Sequence, residues 1–310
     1  MTRINSQTWS SQSIASRWQH QFFYLAIRLG GRRLAYAFTY PVVCYYMLFR
    51  PGLRKRTRHY LRRRFPDHKG LAAFRDSFRL SLSFAKILVD RAIVGIAGPE
   101  SMDVRFDSME KIQDLLDHGS GLILMNAHVG CWQAAMSSIH MLDTPVNLLM
   151  KREHGDVDRH YHEHRGMPCP YKIIDPDGFL GGAVEIVQAL QRGEIISVMG
   201  DRVFGNDKNK LKIPFMGETA EFPVGAYKIA AITGAPVAVL FSRKTGINSY
   251  ALELAGIIRV NPEQDRGLEN LRPYVLEFAG LLEGYVQLHP YQFYNFHDMW
   301  ENQRTEAGKH

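Results

Sequence analysis

The stretch GLILMNAHVGCWQ, residues 121–133, decides the fold of this chain. Its first half, GLILM, is a short uninterrupted apolar run, which is typical of a strand buried on both faces of a sheet. A polar, glycine-containing turn follows, and after it comes the helix-like segment 132–142. A buried strand that leads through a turn into a helix is the repeating unit of α/β folds with parallel strands.

Four further apolar runs resemble GLILM. They are VNLLM at 146–150, residues 171–174, IISVM at 195–199 and PVAVLF at 236–241. Helix-like segments at 179–192 and 224–233 lie between them, and this alternation predicts a mostly parallel central sheet flanked by helices. We expect one more strand at 250–260 and a closing helix at 266–288. Residues 1–100 are expected to be mostly helical, because apolar residues recur there at helical spacing.

The charge of the chain is unevenly distributed. Residues 1–66 contain thirteen Lys or Arg and no Asp or Glu, whereas the rest contains 25 basic and 31 acidic residues. The first 66 residues therefore carry +13 and the remainder −6, within a net charge of +7. A basic segment of this kind predicts an anionic partner, either a phospholipid leaflet or nucleic acid.

The neighbouring sequence favours the leaflet. LAYAFTYPVVCYYMLF, residues 34–49, is uncharged and aromatic, and eight basic residues follow it between Arg50 and Arg64. A spanning helix needs about 20 residues, so this run with Pro41 inside is short, and an interfacial anchor or a span both stay open. A buried helix beside a solvated arginine face is the alternative without a membrane. No nucleic-acid-binding motif accompanies the arginines, so no nucleic acid partner is expected.

The basic residues and the apolar run predict a membrane-anchoring region at 1–66. No linker or repeat divides the chain, so one α/β domain is expected at 67–310. The three cysteines, Cys44, Cys131 and Cys169, have no metal-ligand spacing and cannot all pair. This pattern favours a reducing compartment over a secreted disulfide scaffold. We therefore expect the protein to face the cytoplasm.

His128 is the first candidate for chemistry. It follows the strand 121–125, and ligands of open α/β sheets bind at the carboxyl ends of strands. A neutral imidazole there can remove a proton from a hydroxyl or an amine. Gly130 would let substrate or backbone approach closely, and free N–H groups at the helix start would stabilise an oxyanion. From position alone, a histidine that only caps the turn is the alternative.

NAHVGCWQ, residues 126–133, resembles the His-x4-acid motif of the lysophospholipid acyltransferase superfamily, in the branch of the late acyltransferases of lipid A synthesis. Other blocks resemble that branch in the same order. They are Tyr45-Tyr46, Arg63-Arg64-Phe65-Pro66, Arg152, Arg165-Gly166, Gly200-Asp201-Arg202, PFMG at 214–217, Pro223, Gly225, GAPV at 234–237 and the aromatic tail PYQFYNFHDMW at 290–300. The resemblance implies a single glycerol-3-phosphate-acyltransferase-like α/β domain.

The resemblance also implies roles for individual residues. His128 would be the general base, and Arg152 and Arg165 would bind a phosphate or carboxylate of the donor or acceptor. Asp201 and Arg202 would border the same cleft. Without the family context, the two arginines of the second block would be expected on a solvated loop, and Asp201 with Arg202 in a local salt bridge.

Gln133 departs from the family pattern, which has Asp or Glu five residues after the histidine to fix the imidazole tautomer. A glutamine can accept the ring N–H but carries no negative charge. Three explanations stay open at this point. Gln133 suffices for an activated thioester, a carboxylate such as Asp143 or Asp201 replaces the acid, or the protein binds lipid without turning it over.

Two other chemistries are weaker candidates. HYHEH, residues 160–164, fits the His-x-x-Glu-His pattern of one class of zinc peptidases, but four histidines in this stretch make a chance match easy. Cys131 could pair with His128 as a nucleophile if both lay on one helix. His128 is expected to precede the helix, so small packing is the favoured role of Cys131.

The sequence thus predicts an acyltransferase at the cytoplasmic face of a bacterial inner membrane. The donor would be a thioester on acyl carrier protein or coenzyme A, and the acceptor a hydroxyl or amine of an amphipathic lipid, lipid A-like or otherwise. His128 and Gln133 are the predicted catalytic residues, with Gly130, Arg152, Arg165, Asp201 and Arg202 in substrate binding. No metal or redox cofactor is expected.

Overall fold

The computed structural model of the protein describes residues 17–132, 142–151, 171–203, 209–262 and 267–300. Three helices come first, α1 (Arg17–Phe49), α2 (Pro51–Arg64) and α3 (Gly70–Ala97). They pack against one another, and α1 is interrupted at Gly31, where φ is +63°. The expected helical character of this region is confirmed for the described residues. Within them, no helix combines the length and hydropathy that crossing a membrane requires.

The α/β part contains further helices and strands, with short 3₁₀ turns at Pro99–Ser101, Phe179–Gly182 and Leu268–Leu271. The helices are α4 (Met109–Asp117), α5 (Ala183–Gln191), α6 (Gly225–Thr233) and α7 (Arg272–Leu288). The strands are β1 (Asp103–Phe106), β2 (Leu122–Asn126), β3 (Val146–Leu149), β4 (Lys172–Ile174), β5 (Ile195–Met199), β6 (Lys210–Phe215), β7 (Glu218–Pro223), β8 (Val237–Lys244) and β9 (Ser249–Ile258).

Among the described residues, seven strands form one sheet in the order β1-β9-β8-β2-β5-β3-β4. The five strands from β8 to β4 are mutually parallel, β9 is antiparallel to β8, and β1 is parallel to β9. β6 and β7 form a separate antiparallel hairpin. The predicted α/β fold, with a mostly parallel central sheet flanked by helices, is confirmed.

The central strand β2 is buried on both sides because its side chains alternate between two apolar layers. Ile123 and Met125 pack in the larger core, together with residues of α5, α6 and α7. Leu122 and Leu124 face the second core, which Ile112 and other α4 residues close. Both faces of the sheet are therefore covered, as an uninterrupted apolar strand predicts.

Several elements differ from the sequence-based expectation. The segment 179–192 begins as a 3₁₀ turn, because Leu180, Gly181 and Gly182 have positive φ, and its α-helix begins only at Ala183. The strand β1, the helix α4 and the β6–β7 hairpin were not predicted. In β6 the buried side chains alternate with exposed ones, so KLKIPF contains no uninterrupted apolar run. The helix predicted at 132–142 lies largely outside the described residues.

A buried carboxylate, Asp90 of α3, connects the N-terminal helices to the sheet. It accepts hydrogen bonds from Tyr36 Oη at 2.6 Å and from the phenol of Tyr250, and it pairs with Lys244 Nζ at 2.6 Å and Arg32 Nε at 3.2 Å. Asp90 is fully buried, while Arg32 and Lys244 are nearly so. One carboxylate thus joins α1, α3, β8 and β9.

We expect Asp90→Asn to lower the melting temperature of the purified protein by roughly 10 °C, because removing one partner of a buried ion pair strands the other charge. Circular dichroism during thermal unfolding in mild detergent measures this. The matched control is Asp107→Asn, whose carboxylate forms an exposed pair with Arg105 and should leave the transition unchanged. Equal transitions for both variants would contradict a role of Asp90 in holding the helices.

Candidate active site

The pairing of β2 with β5 brings His128 and Asp201 together. The two strands are parallel, and Asn126 lies opposite Met199 in their register. Gly200 extends this ladder, since its N–H donates to the Asn126 carbonyl at 2.8 Å. His128 and Asp201 each come two residues after one of the paired strand ends, so they meet at the carboxyl edge of the sheet. Open α/β sheets bind their ligands at this edge.

The two side chains form a close, oriented pair. His128 Nδ1 lies 2.8 Å from Asp201 Oδ1, and the backbone N–H of His128 donates to Asp201 Oδ2 at 3.1 Å. A carboxylate at Nδ1 favours the tautomer with the proton on that nitrogen, which leaves the Nε2 lone pair for a substrate. Within the described part of the chain Nε2 has no hydrogen-bond partner, and a quarter of the side chain is exposed.

The charges around His128 set its protonation state. Burial and then the positive charge of Arg202 lower the pKa of His128 from the ordinary 6.5, whereas the Asp201 carboxylate acts to raise it. Burial alone would raise the pKa of Asp201, but His128 and Arg202 hold it below its usual 3.8. At neutral pH the site therefore contains a neutral imidazole, a carboxylate and a guanidinium. A neutral imidazole with an oriented Nε2 is suited to act as a general base.

Asp201 has the geometry expected of the acid that is missing at position 133. It is fully buried and contacts the imidazole directly. Asp143 is exposed and precedes β3, which places it at the amino end of a strand that runs parallel to β2. Gln133, Arg152 and Arg165 lie outside the described residues, so their predicted roles stay predictions.

The backbone N–H groups after β2 are already bonded within the protein. His128 donates to Asp201 Oδ2, Val129 to the Ala127 carbonyl, Gly130 to the Gln292 carbonyl, and Cys131 to Ser242 Oγ at 2.7 Å. These four residues precede the helix predicted at 132–142, so free N–H groups at the helix start stay a prediction, whereas the N–H groups just before it are all bonded within the protein. Val129, Gly130 and Cys131 are buried, and buried N–H donors are expected to find partners inside the fold.

Gly130 makes a close approach to the protein's own backbone. Its φ is +53°, and a Cβ on it would lie 2.0 Å from the Ser242 carbonyl oxygen of β8. A residue without Cβ is needed here so that the segment after β2 can lie against β8. Cys131 next to it is buried, which favours packing over the role of a nucleophile. Binding of substrate by Gly130 stays a prediction.

The C-terminal segment 290–300 contacts the residues that follow β2 and β5 at this site. Val129 and Phe293 form an antiparallel bridge, and Tyr294 donates its N–H to the His128 carbonyl at 2.6 Å. Asn295 bonds to two adjacent residues that follow β5. Its Nδ2 donates to the Asp201 carbonyl, and its Oδ1 accepts from Arg202 Nη2. The sequence signal for this segment was its resemblance to the family's aromatic tail, which carried no information about these contacts.

The described residues contain no group of three or more His, Cys, Asp or Glu that could hold a metal ion. The HYHEH motif at 160–164 lies outside them. The described chemistry at the edge of the sheet is thus an imidazole, a carboxylate, a guanidinium and an amide.

We expect two substitutions to move the pKa of His128 in opposite directions. Arg202→Gln should raise it, because a cation that disfavours the imidazolium is removed, and Asp201→Asn should lower it, because the stabilising anion is removed. An NMR titration of histidine ring signals, with His128 assigned through its loss in His128→Ala, measures both shifts. Shifts of the same sign would contradict the charge arrangement described above.

The chain matches the model of one known protein family over nearly its whole length. The profile of the family described as bacterial lipid A biosynthesis acyltransferase matches residues 5–302. No curated protein sequence matches the chain significantly. The matched range includes both His128 and Asp201. The match supports acyl transfer to a lipid as the general activity. The chain therefore belongs to the bacterial lipid A biosynthesis acyltransferase family.

Proposed function

We propose that this protein transfers a fatty acyl group from a carrier thioester to a hydroxyl or amine of an amphipathic lipid, with His128 as the general base and Asp201 as its partner. The observation that carries the proposal is the 2.8 Å contact between His128 Nδ1 and Asp201 Oδ1 at the carboxyl edge of β2 and β5. Family membership supports the acyl transfer itself.

The chemistry follows from the free ring nitrogen. His128 Nε2 takes the proton of the acceptor hydroxyl or amine while the acceptor attacks the thioester carbonyl carbon. The tetrahedral intermediate collapses as the carbon–sulfur bond breaks, and the leaving thiolate takes the proton from the imidazolium. The imidazole returns to its neutral form, so one turnover consumes no other reagent. No step uses a metal or redox cofactor.

Asp201 supplies the negative charge beside the imidazole that Gln133 lacks. In serine proteases the buried aspartate holds the histidine tautomer and stabilises the imidazolium, and replacing it by asparagine lowers turnover by about 10⁴. Asp201 contacts the same ring nitrogen and is more buried than the imidazole it serves. A catalytically silent lipid-binding protein is the alternative that Gln133 raises, and the contact between Asp201 and His128 supports the enzyme over it.

Arg202 is our candidate for the positive charge near the thioester oxyanion. Arg202 directly follows Asp201, its guanidinium is buried, and its charge lowers the pKa of His128. The N–H groups from His128 to Cys131 are occupied within the protein. A fixed cation in a buried site stabilises developing negative charge without reorganising. Arg152 and Arg165 remain candidates for binding a phosphate of donor or acceptor.

The N-terminal helices support action at a membrane surface. In α1, Leu34, Pro41, Tyr45 and Leu48 are exposed and lie on one helix face, since their spacings of seven, four and three residues match whole turns. The adjacent helix α2 exposes basic side chains at positions 54–56 and 58. An apolar face beside exposed cations fits an anionic leaflet. We therefore propose that the protein acts at the cytoplasmic face of a bacterial inner membrane.

Acyl carrier protein and coenzyme A are both suitable donors, because each carries a thioester on an anionic body that basic side chains attract. The acceptor is a lipid whose reactive hydroxyl or amine reaches the edge of the sheet from the leaflet. A zinc hydrolase stays a remote alternative that rests on HYHEH alone. Metal analysis of the purified protein tests it, since stoichiometric zinc would support it.

We expect His128→Ala and Asp201→Asn each to lower kcat/KM for acyl transfer by about 10²–10⁴-fold, because the first removes the base and the second removes the carboxylate that orients it. Gln133→Glu should transfer at the rate of the wild type, because Asp201 already supplies the charge. The assay follows radiolabelled acyl groups from acyl carrier protein or coenzyme A into a total extract of bacterial membrane lipids.

Circular dichroism of each variant controls for folding. A His128→Ala variant as active as the wild type would refute the base. An inactive wild type that still binds lipid vesicles would favour the silent-binding alternative. An active Asp201→Asn variant together with a faster Gln133→Glu variant would return the role of the acid to position 133.

We also expect the triple variant Lys55→Gln, Arg56→Gln, Arg58→Gln to bind phosphatidylglycerol vesicles about 100-fold more weakly at low salt. Each basic residue contributes roughly 1 kcal/mol near an anionic leaflet. Vesicle sedimentation with increasing salt measures the effect.

Three exposed lysines of the α/β part provide the matched control for this vesicle experiment. The variant Lys111→Gln, Lys172→Gln, Lys212→Gln removes the same charge from exposed positions outside α1 and α2. It should keep most of the vesicle affinity. Equal losses in the two triple variants would show that binding follows net charge and not the N-terminal surface.

A further inference from the structure

We infer that Asn295 is a positioning residue, which holds Asp201 and Arg202 in the arrangement that keeps His128 a base. This inference rests on the proposed function, because it concerns the same histidine. The observation that carries it is a bifunctional contact: Asn295 Nδ2 donates to the Asp201 carbonyl at 3.0 Å, and Asn295 Oδ1 accepts from Arg202 Nη2 at 3.1 Å.

The side chain of Asn295 is buried and bonds to other residues of the protein. Asn295 is buried, with 4% of its surface exposed, and Oδ1 accepts a further bond from the His297 N–H at 3.3 Å. Its hydrogen bonds are all to other groups of the protein, so its effect on the reaction passes through Asp201 and Arg202. An amide offers both a donor and an acceptor, so it can hold a carbonyl and a guanidinium at once, which a carboxylate or a hydroxyl of similar size cannot do as well.

The backbone around Asn295 is fixed independently. Tyr294 donates its N–H to the His128 carbonyl, and its hydroxyl lies 2.8 Å from Ser83 Oγ of α3. The Gln292 carbonyl accepts from Gly130, while its side-chain amide makes two bonds to the backbone of Lys244. The C-terminal segment thus touches the segment after β2 through its backbone and the segment after β5 through Asn295.

The electrostatic consequence has a definite sign. The charged groups that act on His128 are Arg202, which lowers its pKa, and Asp201, which raises it. Asp201 keeps two bonds to His128 even without Asn295, whereas Arg202 loses a bond to its side chain. Removing the amide therefore weakens the hold on the Arg202 guanidinium, whereas the Asp201 carboxylate keeps both of its contacts with His128. The pKa of His128 should rise, and less of the protein should be in the basic form at neutral pH.

The experiment uses the full-length chain in detergent and compares Asn295→Ala with Asn295→Leu, which keeps the volume of the side chain but not its bonds. We expect both variants to raise the pKa of His128 in an NMR titration. In the acyl-transfer assay both should lower kcat about 10- to 100-fold with little change in KM, because the lost bonds serve the base and not substrate binding.

Asn147→Ala is the matched control. Asn147 is a buried asparagine of β3 whose amide donates to Glu194 Oε2 and to the Ile195 carbonyl, without contact to His128. It should lose thermal stability in the way the Asn295 variants do, yet leave the pKa of His128 and the kcat unchanged.

The outcomes separate this inference from the proposed function. An unchanged pKa of His128 in both Asn295 variants, or an equal shift in Asn147→Ala, would overturn the inference while leaving the base intact. Failure of both Asn295 variants to fold, when Asn147→Ala folds, would make Asn295 a structural residue and would equally overturn it. A wild type without acyl transfer would refute the proposed function, and the NMR titration would still decide the role of Asn295.

Discussion

The parallel pairing of β2 with β5 is the constraint on which the rest of the site depends. Because Asn126 is opposite Met199, the residues two positions beyond these strand ends face each other, and these residues are His128 and Asp201. A shift of the register by one residue would turn one of the two side chains to the other face of the sheet. The burial of β2 in two apolar layers prevents such a shift.

The same edge of the sheet organises the N-terminal helices. Lys244 ends β8, which is parallel to β2, so it lies at the edge where His128 lies. Asp90 of α3 binds Lys244 and also Arg32 and Tyr36 of α1. The helices that we propose to meet the leaflet are thereby held at the edge of the sheet where His128 lies, and a lipid acceptor in that leaflet would have a short path to the imidazole.

The sequence by itself determined the fold class and the position of the proposed base. Short uninterrupted apolar runs are typical of buried strands, so β2, β3, β5 and β8 were predictable. His128 was a candidate because it lies directly after β2. The sequence also offered Asp201 and Asp143 as two carboxylates able to replace the acid at position 133, but no sequence feature distinguished between them.

Only the tertiary structure decided which groups surround His128. Asp201 is 73 residues away along the chain and Asn295 is 167 away, and no local pattern reports contacts over such separations. The choice of Asp201 over Asp143 comes from strand order and direction, which place one at the carboxyl edge and the other at the opposite edge. The occupied N–H groups after β2 were equally hidden, because their acceptors, Ser242 and Gln292, come from distant segments. Local patterns encode burial and periodicity, whereas a site built from three loops depends on how the sheet assembles.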